Sequence, residues 1–213
     1  MTGLFIVLEG IDGSGTSTQA DRLKDYWLSR GEKAILSPEP SSGPIGNLIR
    51  EILKQRVFLT ADSQKFDEQM AYLFAADRHD HLYNDIDGVF PLKAAGVHVI
   101  STRYYFSSLA YNCTTPTEFE FVRCLNARFP NPDVVIYIDI PVEVSLRRLA
   151  ERSVKDIYET REKLIRVSQN YQTIFANYSG LLLAIDGTQS KDRVFQEIVQ
   201  FINTIGEKVP SKD

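Results

Sequence analysis

Short unbroken apolar runs alternate along the chain with segments whose apolar residues recur every three to four positions. These are the periods of buried strand and amphipathic helix. Phe5-Ile-Val-Leu8 is the first run. Ala20, Leu23 and Trp27 then share one helical face, closed by Gly31. Residues 33–36 predict a short second strand, and Ile45, Leu48, Ile49, Ile52 and Leu53 a helix after the loop 37–44. A longer helix is predicted over 63–85, with Phe66, Met70, Leu73, Phe74 and Leu82 as its stripe. Residues 97–100 read as a third strand. Thr117 to Glu120 reads as a capping box opening a helix that stops at Pro130-Asn-Pro132. The run 134–138 is apolar throughout, which predicts a central strand covered on both faces. Pro141 suits the first turn of a helix reaching Arg152. A polar link, 153–157, separates it from a long helix beginning near Tyr158-Glu159. Residues 181–185 are the fifth strand. Val194, Ile198, Phe201 and Ile202 mark the last helix, before a tail expected to fray.

Strands that alternate with helices predict an α/β fold, a parallel sheet with helices on both faces. With 213 residues, no internal repeat and no long linker, one domain over 1–213 is expected, with a short lid at about 150–160.

The first strand runs straight into Gly10-Ile11-Asp12-Gly13-Ser14-Gly15-Thr16-Ser17-Thr18. A strand, a glycine-rich loop and a helix N-terminus together cradle phosphate. Loop N–H groups and the helix dipole both favour an anion there. Gly10 and Gly15 have the Gly-x-x-x-x-Gly spacing, and Ser17 stands where a hydroxyl ligates Mg²⁺. The next position in that pattern is lysine; here it is Thr16. The nest is intact but its cation is missing.

Composition narrows the classes. The net charge of −4 offers no large basic field for nucleic acid. No apolar run approaches the ~20 residues of a bilayer span. The chain enters its first strand at once, so no signal peptide is expected and a cytoplasmic setting is. Cys113 and Cys124 lack metal or redox spacing and are expected as idle thiols. His79, His81 and His98 show no ligand pattern and are expected on the surface or in the core.

Several stretches resemble one family, thymidylate kinase. They are Leu8-Glu-Gly-Ile-Asp-Gly-Ser-Gly15, Glu39-Pro40, Phe74-Ala-Ala-Asp-Arg78, Arg103-Tyr104 with Ser107 and Ala110-Tyr111, and Tyr158-Glu159. Their order and spacing follow the family across nearly the whole chain. The resemblance implies a P-loop kinase fold with a five-stranded parallel sheet, three layers deep, and a homodimer. It also implies Mg²⁺-dependent transfer of phosphate from ATP to dTMP, with residues 10–18 on ATP. Carried over by position, Asp12 sits beside the sugar and the transferring phosphate. Phe74 stacks on the base, and Arg78 binds the thymine edge with a guanidinium fork. Arg103 clamps the acceptor phosphate, where bidentate geometry adds position to charge. Glu39, Tyr104, Ser107, Tyr111 and Asn112 line the dTMP pocket. Tyr158 and Glu159 close over the sugar, with Glu159, Ser17 and Asp12 near the metal.

The departures bear on the mechanism. The family has lysine where this chain has Thr16, and aspartate where it has Thr102. Bacterial members have arginine and two glycines around Glu-Pro, where this chain has Pro38, Ser41 and Ser42. A cation and an anion are missing together, which leaves neither buried charge unpaired. Arg147, Arg148, Arg152, Lys155, Arg161 and Lys163 crowd the lid and its flanks. Arg152 and Lys155 stand closest to where some family members place a lid arginine, and are the expected replacements. Lys163 is expected on a solvated face. The competing functions are another nucleoside monophosphate kinase and a nucleotide-binding homologue without turnover.

Overall fold

The computed structural model describes residues 2–151 and 160–206. Among these the chain runs β1 (Phe5–Glu9), α1 (Thr16–Ser29), β2 (Ala34–Leu36), α2 (Pro44–Leu53), α3 (Ser63–Tyr83), α4 (Val89–Ala94), β3 (His98–Thr102) and α5 (Tyr105–Tyr111). It continues through α6 (Pro116–Asn126), β4 (Val134–Asp139), α7 (Val142–Ala150), α8 (Arg161–Ala176), β5 (Leu182–Asp186) and α9 (Lys191–Gly206). The five strands form one sheet in the order β2-β3-β1-β4-β5, every pair parallel. The expected fold class, α/β with a five-stranded parallel sheet, is what the chain adopts.

Strand alternation divides the core in two. Phe5 and Val7 of β1 join Val99, Val135 and Tyr137 against α5 and α8, where Phe106, Val167, Tyr171 and Phe175 meet them. Ile6 and Leu8 point the other way. They join Ile100, Ile136 and Ile185 against Leu23 and Trp27 of α1 and Ile198 and Ile202 of α9. Each such side chain, fully buried, contributes about 1.5–3 kcal/mol. With both faces covered, β1 can be apolar from Phe5 to Leu8, and its C-terminal end is fixed from two sides.

Three sequence expectations need correction. The capping box on α6 is Thr115 with Glu118, two residues earlier than expected, because Pro116 supplies the first helical residue. Glu120 pairs instead with Arg123 one turn on, at 2.6 Å. The helix from Pro141 ends at Ala150, and Pro141 is its cap rather than part of its first turn. Lys163 is not on a solvated face: its ammonium lies 2.9 Å from both carboxylate oxygens of Asp67, with side chains only 12% and 14% exposed. Arg152, Lys155, Tyr158 and Glu159, with most of the expected lid, lie outside the described residues. Cys113 is buried, Cys124 exposed, and both are free thiols. Among the described residues, no helix is long and apolar enough to cross a membrane.

Candidate active site

The loop after β1 is shaped by glycine. Gly15 has φ 101, a left-handed conformation, and caps α1. The helix opens with no side-chain cap and no acidic residue in its first turn. Its terminal N–H groups and positive dipole end therefore remain for an anion. At Gly10, a Cβ would lie 2.6 Å from both Ile138 O and Ser14 Oγ, so no larger residue fits that entrance. Ser14 Oγ is buried without a partner among the described residues. Ser17 and Thr18 are exposed on the first turn of α1.

No lysine stands in this loop, but a cation braces it from behind. Arg148 of α7 donates to the carbonyl oxygens of Gly13 (3.0 Å), Ser14 (3.4 Å) and Gly187 (3.0 Å). Ser145, one turn earlier, donates to Asp12 O at 2.5 Å. Helix α7 thus holds the loop through its carbonyls rather than its N–H groups.

Arg103 follows β3 at φ 74, one of two non-glycine residues with positive φ among those described. Its N–H donates to Leu8 O (2.9 Å), which ties the turn to the neighbouring strand. The guanidinium donates to Asp12 (2.5 Å), Tyr111 Oη (3.2 Å) and Ser107 Oγ (3.3 Å), and lies 4.7 Å over the Tyr111 ring. Tyr111 Oη donates in turn to the other Asp12 oxygen at 2.9 Å. Burial, together with Asp12, raises the Tyr111 pKa, so its hydroxyl stays protonated and remains a donor. Five guanidinium N–H groups are available to an arginine. Three are used here within the described chain, and the remaining two can take a phosphate oxygen.

The second arginine is built differently. Arg78 on α3 is 1% exposed, with Glu39 fully buried beside it. Glu39 Oε2 accepts from Arg78 Nε (3.0 Å) and from a terminal nitrogen (2.6 Å). Ser108 Oγ (3.2 Å) and Asn126 Oδ1 accept from the rest of the fork. Four of its five N–H groups are thereby spent, leaving one for a ligand. Glu39 Oε1 meets His81 Nδ1 at 3.2 Å, and His81 Nε2 meets Ser37 Oγ at 2.7 Å. The Glu39-Pro40 peptide is cis. Arg50 of α2 grips the carbonyls of Pro40 (2.7 Å) and Ser41 (2.6 Å), and Asp77 of α3 accepts from Ser41 N (2.7 Å). Ser41, which departs from the bacterial pattern, is thus bound into the loop by its hydroxyl as well.

These groups converge. A cavity of about 140 Å³ is lined by Asp12, Glu39, Phe74, Arg78, Arg103, Tyr104, Ser107, Tyr111 and Asn112, together with Pro40, Leu53 and Ser108. Every residue expected on the dTMP side that the structure describes borders it. Leu53, read from the sequence only as part of a helix face, and Ser108 and Asn126 were not expected at the site. Nor was Glu9, whose carboxylate ends the buried strand β1 and touches the Arg103 turn. A carboxylate closing an apolar run is a signal, since burying it is costly without partners.

The described residues hold no cluster of three or more His, Cys, Asp or Glu able to bind a metal. What they offer a cation is oxygen: the exposed Ser17 hydroxyl and the Asp12 carboxylate. That donor set suits Mg²⁺, which keeps several waters and is held mostly by substrate phosphates.

A phosphate-binding loop on β1, an arginine turn on the adjacent β3 and a shared parallel sheet define a P-loop kinase fold. The profile of the family described as thymidylate kinase matches residues 8–198. The chain is 36% identical over 208 residues to a protein named "Probable thymidylate kinase" in Thermococcus kodakarensis, covering 95% of this chain and 98% of that one. Proteins of the same name in Methanococcus aeolicus and Pyrococcus horikoshii are 35% and 33% identical, over 92% and 95% of this chain and 94% and 97% of theirs. The chain belongs to the thymidylate kinase family, and its enzyme class is that of a dTMP kinase.

Proposed function

We propose that the chain transfers the γ-phosphate of ATP to dTMP, giving dTDP and ADP for dTTP synthesis, as one domain with a lid near 150–160. The observation that carries this reading is the single cavity joining Phe74 and Arg78 to Arg103 and Asp12 at the mouth of the phosphate loop. Phe74 stacks on the thymine. The unspent N–H of Arg78 meets a thymine carbonyl, while Glu39 holds the fork in plane. Arg103 clamps the acceptor phosphate with its two unspent donors. Tyr104, Ser107, Tyr111 and Asn112 form the remaining wall, with Tyr158 on the sugar.

The donor lies on Gly10, Ile11, Asp12, Gly13, Ser14, Gly15, Thr16, Ser17 and Thr18. An acceptor phosphate oxygen attacks Pγ, the bond from Pγ to the β–γ bridging oxygen breaks, and ADP leaves. Such transfer is catalysed chiefly by positioning and by charge on the phosphoryl oxygens. Asp12 and Arg103 supply the acceptor side. Arg152 or Lys155 supplies the cation that Thr16 does not. Ser17, Asp12 and Glu159 would hold Mg²⁺, which would neutralise charge on the phosphates. A homodimer belongs to this reading as the family resemblance implies it. A cytoplasmic setting belongs to the same reading.

ADP release from the purified chain with dTMP, dUMP, dCMP or dGMP, each with and without Mg²⁺, tests it. Turnover should require Mg²⁺ and be greatest with dTMP. Equal rates with all four acceptors would overturn the base assignment, and no turnover with any would overturn the reaction.

A further inference from the structure

Glu9 is fully buried at the end of β1, and its two oxygens gather three donors, from the turn after β3, from α5 and from α8. Oε1 accepts from Tyr104 N–H at 2.7 Å, the amide that follows Arg103. Oε2 accepts from Ser107 Oγ of α5 and Tyr171 Oη of α8, each at 2.7 Å. Ser107 Oγ and Tyr171 Oη are themselves 2.8 Å apart, and Ser107 Oγ also receives the Arg103 guanidinium.

Arg103 needs such support. Its left-handed backbone is one a branched or long side chain rarely adopts, and it persists only where neighbours over-determine it. Leu8 O holds the amide before the turn, Ser101 Oγ donates to Arg103 O at 2.9 Å, and Glu9 holds the amide after it. The same carboxylate therefore fixes the backbone of Arg103 directly and one end of its guanidinium through Ser107. Through Tyr171 it also ties α8 to the turn.

We propose that Glu9 is a positioning residue for the acceptor phosphate: it sets the direction of the Arg103 guanidinium without touching substrate. The inference rests on the reading of Arg103 as the phosphate clamp. It makes a specific demand, that losing Glu9 should weaken only the part of binding owed to the phosphate.

Calorimetry with dTMP and with thymidine, which shares the base and sugar but lacks phosphate, separates the two parts. Glu9→Gln should reduce the preference for dTMP over thymidine by about tenfold or more, the scale of a misaimed positioning group, with thymidine affinity kept within about twofold. Arg103→Ala sets the floor, and the double variant should show no further loss, because both changes remove one interaction. An unchanged preference in Glu9→Gln, or additive losses in the double variant, overturns the proposal. A wild-type chain that binds dTMP no better than thymidine overturns the clamp reading itself, and the Glu9 role with it. Should Glu9→Gln not fold, Tyr171→Phe removes one of the three donors and leaves the carboxylate. It should lower the same preference about threefold, on the scale of one lost hydrogen bond, and an unchanged value overturns the inference.

Discussion

Glu9 sits where it serves its neighbours and burdens its own ionisation. Burial raises its pKa from the usual 4.5 to about 7, although Ser107, Arg103, Tyr171 and the Tyr104 amide all favour the charged form. A raised carboxyl pKa means that the folded chain holds the proton more tightly than the unfolded one. The stabilisation is therefore complete below about pH 4.5, declines as pH rises, and is lost above about pH 7, a difference of about 3 kcal/mol. Of the other groups facing Glu9, Arg103 keeps its charge, and burial holds the protons on Tyr171 and on Tyr137 of β4. Glu9→Gln cannot ionise, so its melting temperature relative to the wild type should rise by several degrees between pH 5 and pH 8. Melts at four pH values over that range check this. A constant difference would show that the carboxylate does not titrate with folding.

An ion pair between Asp67 and Lys163 links α3 to α8. Burial raises the Asp67 pKa and lowers that of Lys163, so each needs the other to stay charged. Lys163→Ala strands a carboxylate that is 14% exposed and should cost about 2 kcal/mol, read as a lower urea midpoint. Lys163→Met with Asp67→Leu should recover most of that loss; if it does not, the pair contributes more than charge neutrality. Lys163 could not be placed from sequence because a lysine in the first turn of a polar helix looks solvated. Burial against Asp67 of α3 encloses the ammonium. The short helices were hidden for a related reason. α5 has seven residues and buries Phe106, Ser108, Leu109, Ala110 and Tyr111, so it shows no polar face to mark a period. The strands and long helices were legible because their apolar runs have the length and period that burial on two faces requires.

At the scale of the molecule, the acceptor cavity is closed by α2, α3, α5 and the sheet edge together, so filling it should stiffen all of them. dTMP should raise the melting temperature more than dAMP at equal concentration, since only differential affinity for the folded chain moves the transition. Equal shifts in a fluorimetric melt would mean that Phe74 and Arg78 do not read the base. Much of this site was legible from motif order alone, including the residues from three separate strand ends. What the sequence hid was the division of labour between the arginines. Arg78 is nearly saturated by Glu39, Ser108 and Asn126, partners 30 to 48 residues away, whereas Arg103 keeps two donors beside Asp12, Ser107 and Tyr111.

The strand order has a further consequence. Glu39 follows β2, Arg103 follows β3 and the phosphate loop follows β1, and those three strands lie side by side in that order. Parallel strands are spaced about 4.8 Å apart, so the sheet edge is a ruler with three marks spanning roughly 10 Å. On the proposed reading, the base, the acceptor phosphate and the donor phosphate fall in line across these strands. The direction of transfer, on that reading, follows the order of the hydrogen-bonded strands. New acceptors can be tried at one end of the ruler without shifting the distance at which phosphate changes hands.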